Sequence, residues 1–153
     1  MSKAIQNRLK KELNDLINNP VCDSQVVLEN DDDIRYWLVI MKGPADSPYS
    51  EGNFKLKFVF PENYPFKPPE VKFITTIYHP NIKLDNGEIC LDVFTSSWLP
   101  TQKISEILEK IATILKTPST SSPLEPEIAS EFSSNYEKFF SKALEYTKKY
   151  ASS

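Results

Sequence analysis

Residues 25–30, 34–41, 53–60 and 70–74 are short β-prone runs joined by segments too brief for a crossover helix, and this spacing constrains the fold most. In FKLKFVF at 54–60, Phe54, Leu56, Phe58 and Phe60 alternate with Lys55 and Lys57, as in a strand with one dry face and one wet face. The connections carry turn chemistry: Asp31-Asp32-Asp33, the stretch from Gly43-Pro44 to Gly52, and FPENYPFKPPE at 60–70. Parallel neighbours need long crossovers, so the runs predict a four-stranded antiparallel meander.

On either side the period changes. Ile5, Leu9, Leu13, Leu16 and Ile17 fall on one side of a 3.6-residue repeat, so 3–18 reads as an amphipathic helix stopped by Asn19-Pro20. Ile104, Ile107, Leu108, Ile111 and Leu115 mark a second helix, ended by Pro118. Phe132, Tyr136, Phe139, Phe140, Ala143 and Leu144 mark a C-terminal helical part. Helix, meander, long irregular loop and helices in that order make an α+β arrangement. With no internal repeat or linker, residues 1–153 are expected to form one domain. At that length folding hides roughly 68–70% of the surface an unfolded chain exposes.

Several classes of function are disfavoured. No stretch approaches the roughly 18 apolar residues of a membrane span, and the N-terminus lacks the apolar run of a signal peptide, so no membrane role is expected. A net charge of −3 argues against a general nucleic-acid binder. Cys22 and Cys90 are expected as free thiols in a reducing compartment, the cytoplasm and also the nucleus, on a monomer. Residues 1–11 carry Lys3, Arg8, Lys10 and Lys11 and no acid, which suits a solvated helix face or, more sharply, an acidic protein partner.

YHPNIKLDNGEICLDVF at 78–94 holds the single histidine and one of the two cysteines. Zinc needs four Cys or His ligands and the chain has three such residues, with no CxxC or HExxH, so no metal is expected. Gly43, Gly52 and Gly87 are too scattered for a phosphate cradle, so no nucleotide cofactor is expected either. A Cys–His dyad of the hydrolase kind is the second reading, weakened because Pro80 after His79 favours a rigid extended turn over a mobile base. In the third reading Cys90 carries an acyl group and the Asn81 amide stabilises the oxyanion of its transfer. A turn residue capping its own backbone is an equal reading of Asn81.

Taken together, KKELNDL at 10–16, GPADSPYSEGNF at 43–54, FPENYPFKPPEVKF at 60–73, His79-Pro80-Asn81, GEICLDV at 87–93, Trp98 and PLEPEIA at 123–129 resemble the ubiquitin-conjugating enzymes, the E2 family. The resemblance spans nearly the whole chain and is nearest in appearance to the general-purpose class I core-domain group. It implies the UBC fold and a carrier that accepts ubiquitin from an E1 activating enzyme as a thioester on Cys90. With a RING- or HECT-type E3 ligase, the carrier would pass ubiquitin to a lysine of a substrate protein. Asn81 matches the residue associated with the oxyanion and with loop order, and His79 one regarded as structural. A non-catalytic scaffold of the same fold and a carrier of another ubiquitin-like modifier are the alternatives. Cys90 inside an intact GEICLD favours the enzyme.

The physical demands agree with this. Exchange between thiolates of similar pKa faces a low barrier, whereas a lysine amine, with a reference pKa of about 10.4, is mostly protonated at neutral pH. A polar gate beside the thiol is therefore needed. Where many relatives have an acidic gate residue this chain has Ser122, preceded by Ser121; Asp92, two residues past Cys90, is the nearest acid in sequence. Asn81 and Cys90 are nine positions apart, one more than in most relatives, a longer loop that the peroxisomal branch also tends to have. By position, Arg8, Lys11, Phe66, Leu99 and Pro100 match the surface that E1 and E3 share. Cys22 matches no functional position and reads as a small, partly buried apolar residue. Tyr78, Leu84 and Ile89 read as packing around the site.

Overall fold

A computed structural model describes residues 1–152. The first helix, α1 (Lys3–Asn18), starts where the Ser2 hydroxyl accepts the Ile5 N–H at 3.2 Å and stops at Asn19, as the sequence predicts. Leu9, Leu13 and Leu16 form its buried stripe. Four strands follow, β1 (Ser24–Leu28), β2 (Tyr36–Lys42), β3 (Asn53–Val59) and β4 (Glu70–Phe73), paired antiparallel in sequence order.

The alternation seen in the sequence sets the register. Val26, Val39, Leu56 and Phe73 line up across the sheet as one row, and Leu28, Trp37, Phe58 and Val71 as another. All but Leu28 are buried. A one-residue slip would turn Lys55 and Lys57 into the core, so each row fixes the others. Phe60 lies just past β3 but remains buried, its N–H donated to the Arg35 carbonyl at 2.9 Å.

After the site loop and a short 3₁₀ turn at Asp92–Phe94 come α2 (Ile104–Lys116), α3 (Pro126–Ser134) and α4 (Tyr136–Tyr150). Ile104, Ile107, Leu108 and Ile111 are fully buried, so α2 is the helix most enclosed by the core. The C-terminal helical part divides into two helices. The break falls at Asn135, whose side chain caps α4 by accepting the Lys138 N–H at 3.3 Å. Because the helical phase restarts there, the apolar stripe read through 132–144 does not stay on one face: Phe139 and Ala143 are buried, whereas Tyr136 is 51% exposed. Among the described residues, no helix is long and apolar enough to cross a membrane.

The imidazole of His79 sits inside this core. Its Nδ1 accepts the Asn81 N–H at 2.9 Å, which leaves Nε2 carrying the proton it donates to the Ile114 carbonyl, 2.7 Å away, in the last turn of α2. Burial pushes its pKa down from the ordinary 6.5 to about 4, outweighing the opposite effect of the Ile114 carbonyl. The unfolded chain therefore takes up a proton near 6.5 that the folded chain refuses until about 4. The associated stability is complete above pH 6.5 and lost on acidification towards 4, about 3 kcal/mol in all. As the chain has a single histidine, proton NMR reads this directly. The imidazole signal should keep its neutral position down to about pH 5, and a midpoint at 6.5 in the folded protein would mean an exposed ring.

Candidate active site

Cys90 follows a small folded loop. Bridges pair His79 with Ile82, Ile82 with Ile89 and Lys72 with Glu88, so the chain leaves the HPN turn, reverses through Asp85-Asn86-Gly87 and returns beside β4. Gly87 makes that reversal possible. Its φ is +76°, and a Cβ would overlap the carbonyl of Phe73, whose own N–H donates to the Gly87 carbonyl at 2.9 Å. The return places the Cys90 N–H on the Asn81 carbonyl at 2.9 Å, with Ile89 buried before it and the thiol half-exposed after it.

A second segment, 119–125, is strapped across the HPN turn. The Asn81 amide makes a two-way bond to Ser119, donating to its carbonyl at 2.8 Å and accepting its N–H at 2.9 Å. The Leu124 and Glu125 N–H groups both donate to the Pro80 carbonyl, at 3.1 and 3.0 Å, and the Glu125 carboxylate accepts the Leu84 N–H at 2.8 Å. Held in this way, the segment presents the Ser122 carbonyl to the Cys90 thiol, which donates to it at 3.3 Å.

The thiol opens into a cleft of about 820 Å³ whose walls include Glu70, Lys72, Glu88, Asp92 and Ser122. Asp92 is exposed; its carboxylate accepts the Ser97 hydroxyl at 3.2 Å and its carbonyl takes two further N–H groups of that turn. The Ser122 hydroxyl side is exposed as well, so the predicted gate residues and the thiol share one cleft. His79 is not part of it. Both its ring nitrogens are committed to backbone groups and it is fully buried, so it cannot take a proton from the thiol. The hydrolase dyad therefore lacks its base. Among the described residues there is also no cluster of metal-ligating side chains.

The predicted partner residues divide into two kinds. Phe66 is 72% exposed and Leu99 61% exposed, with Pro100 and Lys11 also at the surface. Arg8 is different: its guanidinium donates to the Pro100 carbonyl at 2.6 Å, the Gln102 carbonyl at 3.0 Å and Glu12 at 3.2 Å, and lies 5.2 Å over the Tyr64 ring. It fastens α1 to the loop beyond Trp98. Cys22 lies in the α1–β1 turn at φ +53°, half-buried, with its thiol pKa raised chiefly by burial, as an unreactive packing residue would be. Tyr78 and Ile89 are buried and Leu84 is half-buried, as expected of packing residues.

Sequence reasoning passed over Glu12, Ser119 and Glu125. Glu12 accepts the Tyr64 hydroxyl at 2.6 Å and the Ile104 N–H at 2.9 Å, joining α1, the Tyr64-Pro65 turn and the start of α2. It left one signal: a carboxylate inside the apolar stripe of Leu9, Leu13 and Leu16. Ser119 acts through its backbone and left none. Glu125 bonds to a residue 41 positions away, which no local pattern encodes.

Residues 8–147 match the family described as Ubiquitin-conjugating enzyme. The chain is 43% identical over 150 residues to Ubiquitin conjugating enzyme E2 B of Dictyostelium discoideum, covering 97% of this chain and 99% of that protein. The E2 domain of a Toxoplasma gondii ubiquitin conjugating enzyme superposes with a TM-score of 0.88 at 35% identity, over 95% of this chain and 98% of that one. The crystal structure of a putative ubiquitin conjugating enzyme from Plasmodium yoelii gives 0.92 at 35% identity, over 100% and 99%. A lone, baseless thiol in a strapped loop suits an acyl carrier, and with matches of this length the chain belongs to the ubiquitin-conjugating enzymes, E2 transferases that act through a thioester intermediate.

Proposed function

We propose that Cys90 is the carrier: it takes ubiquitin from E1 as a thioester and, with a RING- or HECT-type E3, yields it to a lysine amine of a substrate protein. The observation that carries this reading is a half-exposed thiol in an open cleft with no imidazole to activate it. Such a thiol suits exchange with another thioester, in which one sulfur replaces another at the carbonyl. Free thiols at Cys22 and Cys90 fit the reducing cytoplasm or nucleus as the place of work.

In this reading Asn81 keeps the Cys90 loop and segment 119–125 in register. One N–H of its amide is used on Ser119, so an oxyanion contact falls to the other. Ser122 and Asp92 stand at the cleft where the incoming lysine must shed its proton. Phe66 and Leu99 are the apolar anchors offered to E1 and E3, flanked by Lys11 and Pro100. Arg8 contributes by holding that surface in place.

Incubation with ubiquitin, E1 and Mg-ATP should give a reductant-sensitive adduct in wild type and Cys22→Ala and none in Cys90→Ala. An adduct that survives Cys90→Ala would overturn the assignment. Ser122→Asp should speed discharge to free lysine by about tenfold, roughly 1.4 kcal/mol of barrier, and equal rates would remove Ser122 from the gate. Phe66→Ala should weaken E3-stimulated discharge by about 2 kcal/mol, near thirtyfold, with the melting temperature almost unchanged. A large melting shift would instead make Phe66 a structural residue.

A further inference from the structure

The cleft at Cys90 has one wall on the cysteine's own loop and another on the 119–125 segment, through Ser122 and Leu124, so the join between these two pieces of chain sets the room for an incoming amine. Among the described residues, two hydrogen bonds link the segment to the loop after Asn81. The Cys90 thiol donates to the Ser122 carbonyl at 3.3 Å, and the Leu84 N–H donates to the Glu125 carboxylate at 2.8 Å. Sulfur is a weak donor, whereas a bond to a carboxylate is charge-assisted. The first bond is also lost on loading, because a thioester sulfur has no proton to give. The second survives, and Glu125 is well placed to sustain it. Its N–H donates to the Pro80 carbonyl at 3.0 Å and its carbonyl accepts the Ala129 N–H at 3.0 Å in the first turn of α3, so the carboxylate extends from a fixed base. The rest of the loop tip is bonded to itself or to β4: the Gly87 N–H donates to the Lys83 carbonyl, the Lys83 N–H to the Glu88 carbonyl, and the Phe73 N–H to the Gly87 carbonyl.

We propose that Glu125 is a positioning residue that holds the two walls of the cleft together once Cys90 is loaded, so that it governs discharge to lysine and not loading from E1. This rests on the assignment of the thioester to Cys90. Loading exchanges one thiol for another at the carbonyl and requires no amine to lose a proton. Discharge does require it. The lysine ammonium gives one proton to solvent at the cleft, and its nitrogen attacks the thioester carbonyl. The C–N bond of an isopeptide forms, the C–S bond breaks, and a second proton from the nitrogen ends on the departing Cys90 thiolate. The first proton leaves more readily when the walls keep water from the ammonium, since desolvation disfavours the charged amine. A segment released from Leu84 lets that wall drift, and a small misplacement of this kind is felt in the step that depends on it.

The test compares two variants. Glu125→Ala removes the acceptor, whereas Glu125→Gln removes the charge and keeps an oxygen for the Leu84 N–H. Wild type and both variants are loaded with ubiquitin, E1 and Mg-ATP, E1 is quenched, and the thioester is chased with free lysine or with hydroxylamine, whose nitrogen is already unprotonated at neutral pH. Glu125→Ala should load at the wild-type rate, discharge to lysine about tenfold more slowly, and discharge to hydroxylamine unchanged. Glu125→Gln should follow wild type in all three. Hydrogen exchange should find the Leu84 amide protected in wild type and Glu125→Gln and unprotected in Glu125→Ala. Lysine discharge undiminished in Glu125→Ala, an equal loss with hydroxylamine, or a Glu125→Gln variant as slow as Glu125→Ala would overturn the proposal with the Cys90 thioester intact. Poor loading of Glu125→Ala together with a lowered melting temperature would overturn it as well, by making Glu125 a folding residue. Failure of wild type to form any Cys90 thioester would remove the underlying reading, and the gel taken before the chase distinguishes that case.

Discussion

The hydrogen bond from the His79 imidazole to the Ile114 carbonyl is the joint on which the site is built. A helix end leaves carbonyls without partners, and burying one unpaired is costly. Here the last turn of α2 gives such a carbonyl to the ring, and the ring's other nitrogen takes the Asn81 N–H. One neutral side chain thereby fixes the HPN turn relative to the most buried helix. Around it, the Tyr49 hydroxyl donates to the Tyr78 carbonyl at 2.6 Å and its ring lies 5.7 Å from the imidazole, sealing the turn from water. Charging the ring would strand a cation among apolar groups, so the group that anchors the loop is also barred from proton transfer.

From that anchor the rest of the site follows by backbone accounting. The HPN turn leaves the carbonyls of Pro80 and Asn81 outside the four-stranded sheet, to be satisfied locally. The 119–125 segment donates twice to the first, and the Cys90 N–H donates to the second. The Asn81 side chain then satisfies both backbone groups of Ser119. The Cys90 thiol is placed by a closed set of peptide hydrogen bonds rather than by a base, which suits the proposed exchange with an already activated thioester.

What was legible in the sequence had a local period. The β3 alternation, the α1 stripe and the proline and asparagine stops gave element order, register and core face, because periods of 2 and 3.6 are properties of neighbouring residues. The structural role of His79 was readable from Pro80, whereas residue type alone left the chemistry of Cys90 open and the carrier role came from the resemblance of the surrounding motifs. The bonds that hold the site were not readable: Asn81 to Ser119 spans 38 positions and Glu125 to Leu84 spans 41, and either residue alone looks like a turn former or a surface acid. The split at Asn135 was also hidden, since two short helices with aromatic residues on either side of a cap imitate one longer stripe. The inward bonds of Arg8 were hidden for a related reason, as a cation on the first helix gives no sign that carbonyls of residues 100 and 102 will fold back onto it.

That last contact bears on the proposal that one small surface serves E1 and E3 in turn. Phe66 and Leu99 sit on separate loops, and exposed apolar residues on mobile loops would lose conformational freedom at every binding event. Here the loops are fastened before any partner arrives. The Trp98 indole donates to the Pro65 carbonyl at 2.8 Å, Tyr64 donates to Glu12, and Arg8 clips the loop after Leu99 to the same helix. The surface is thus pre-ordered by contacts that face inward and leave Phe66 and Leu99 free. A rigid patch of modest size binds without an ordering cost and gains little from wrapping its partner, the combination a carrier needs if it must leave one enzyme to meet the next.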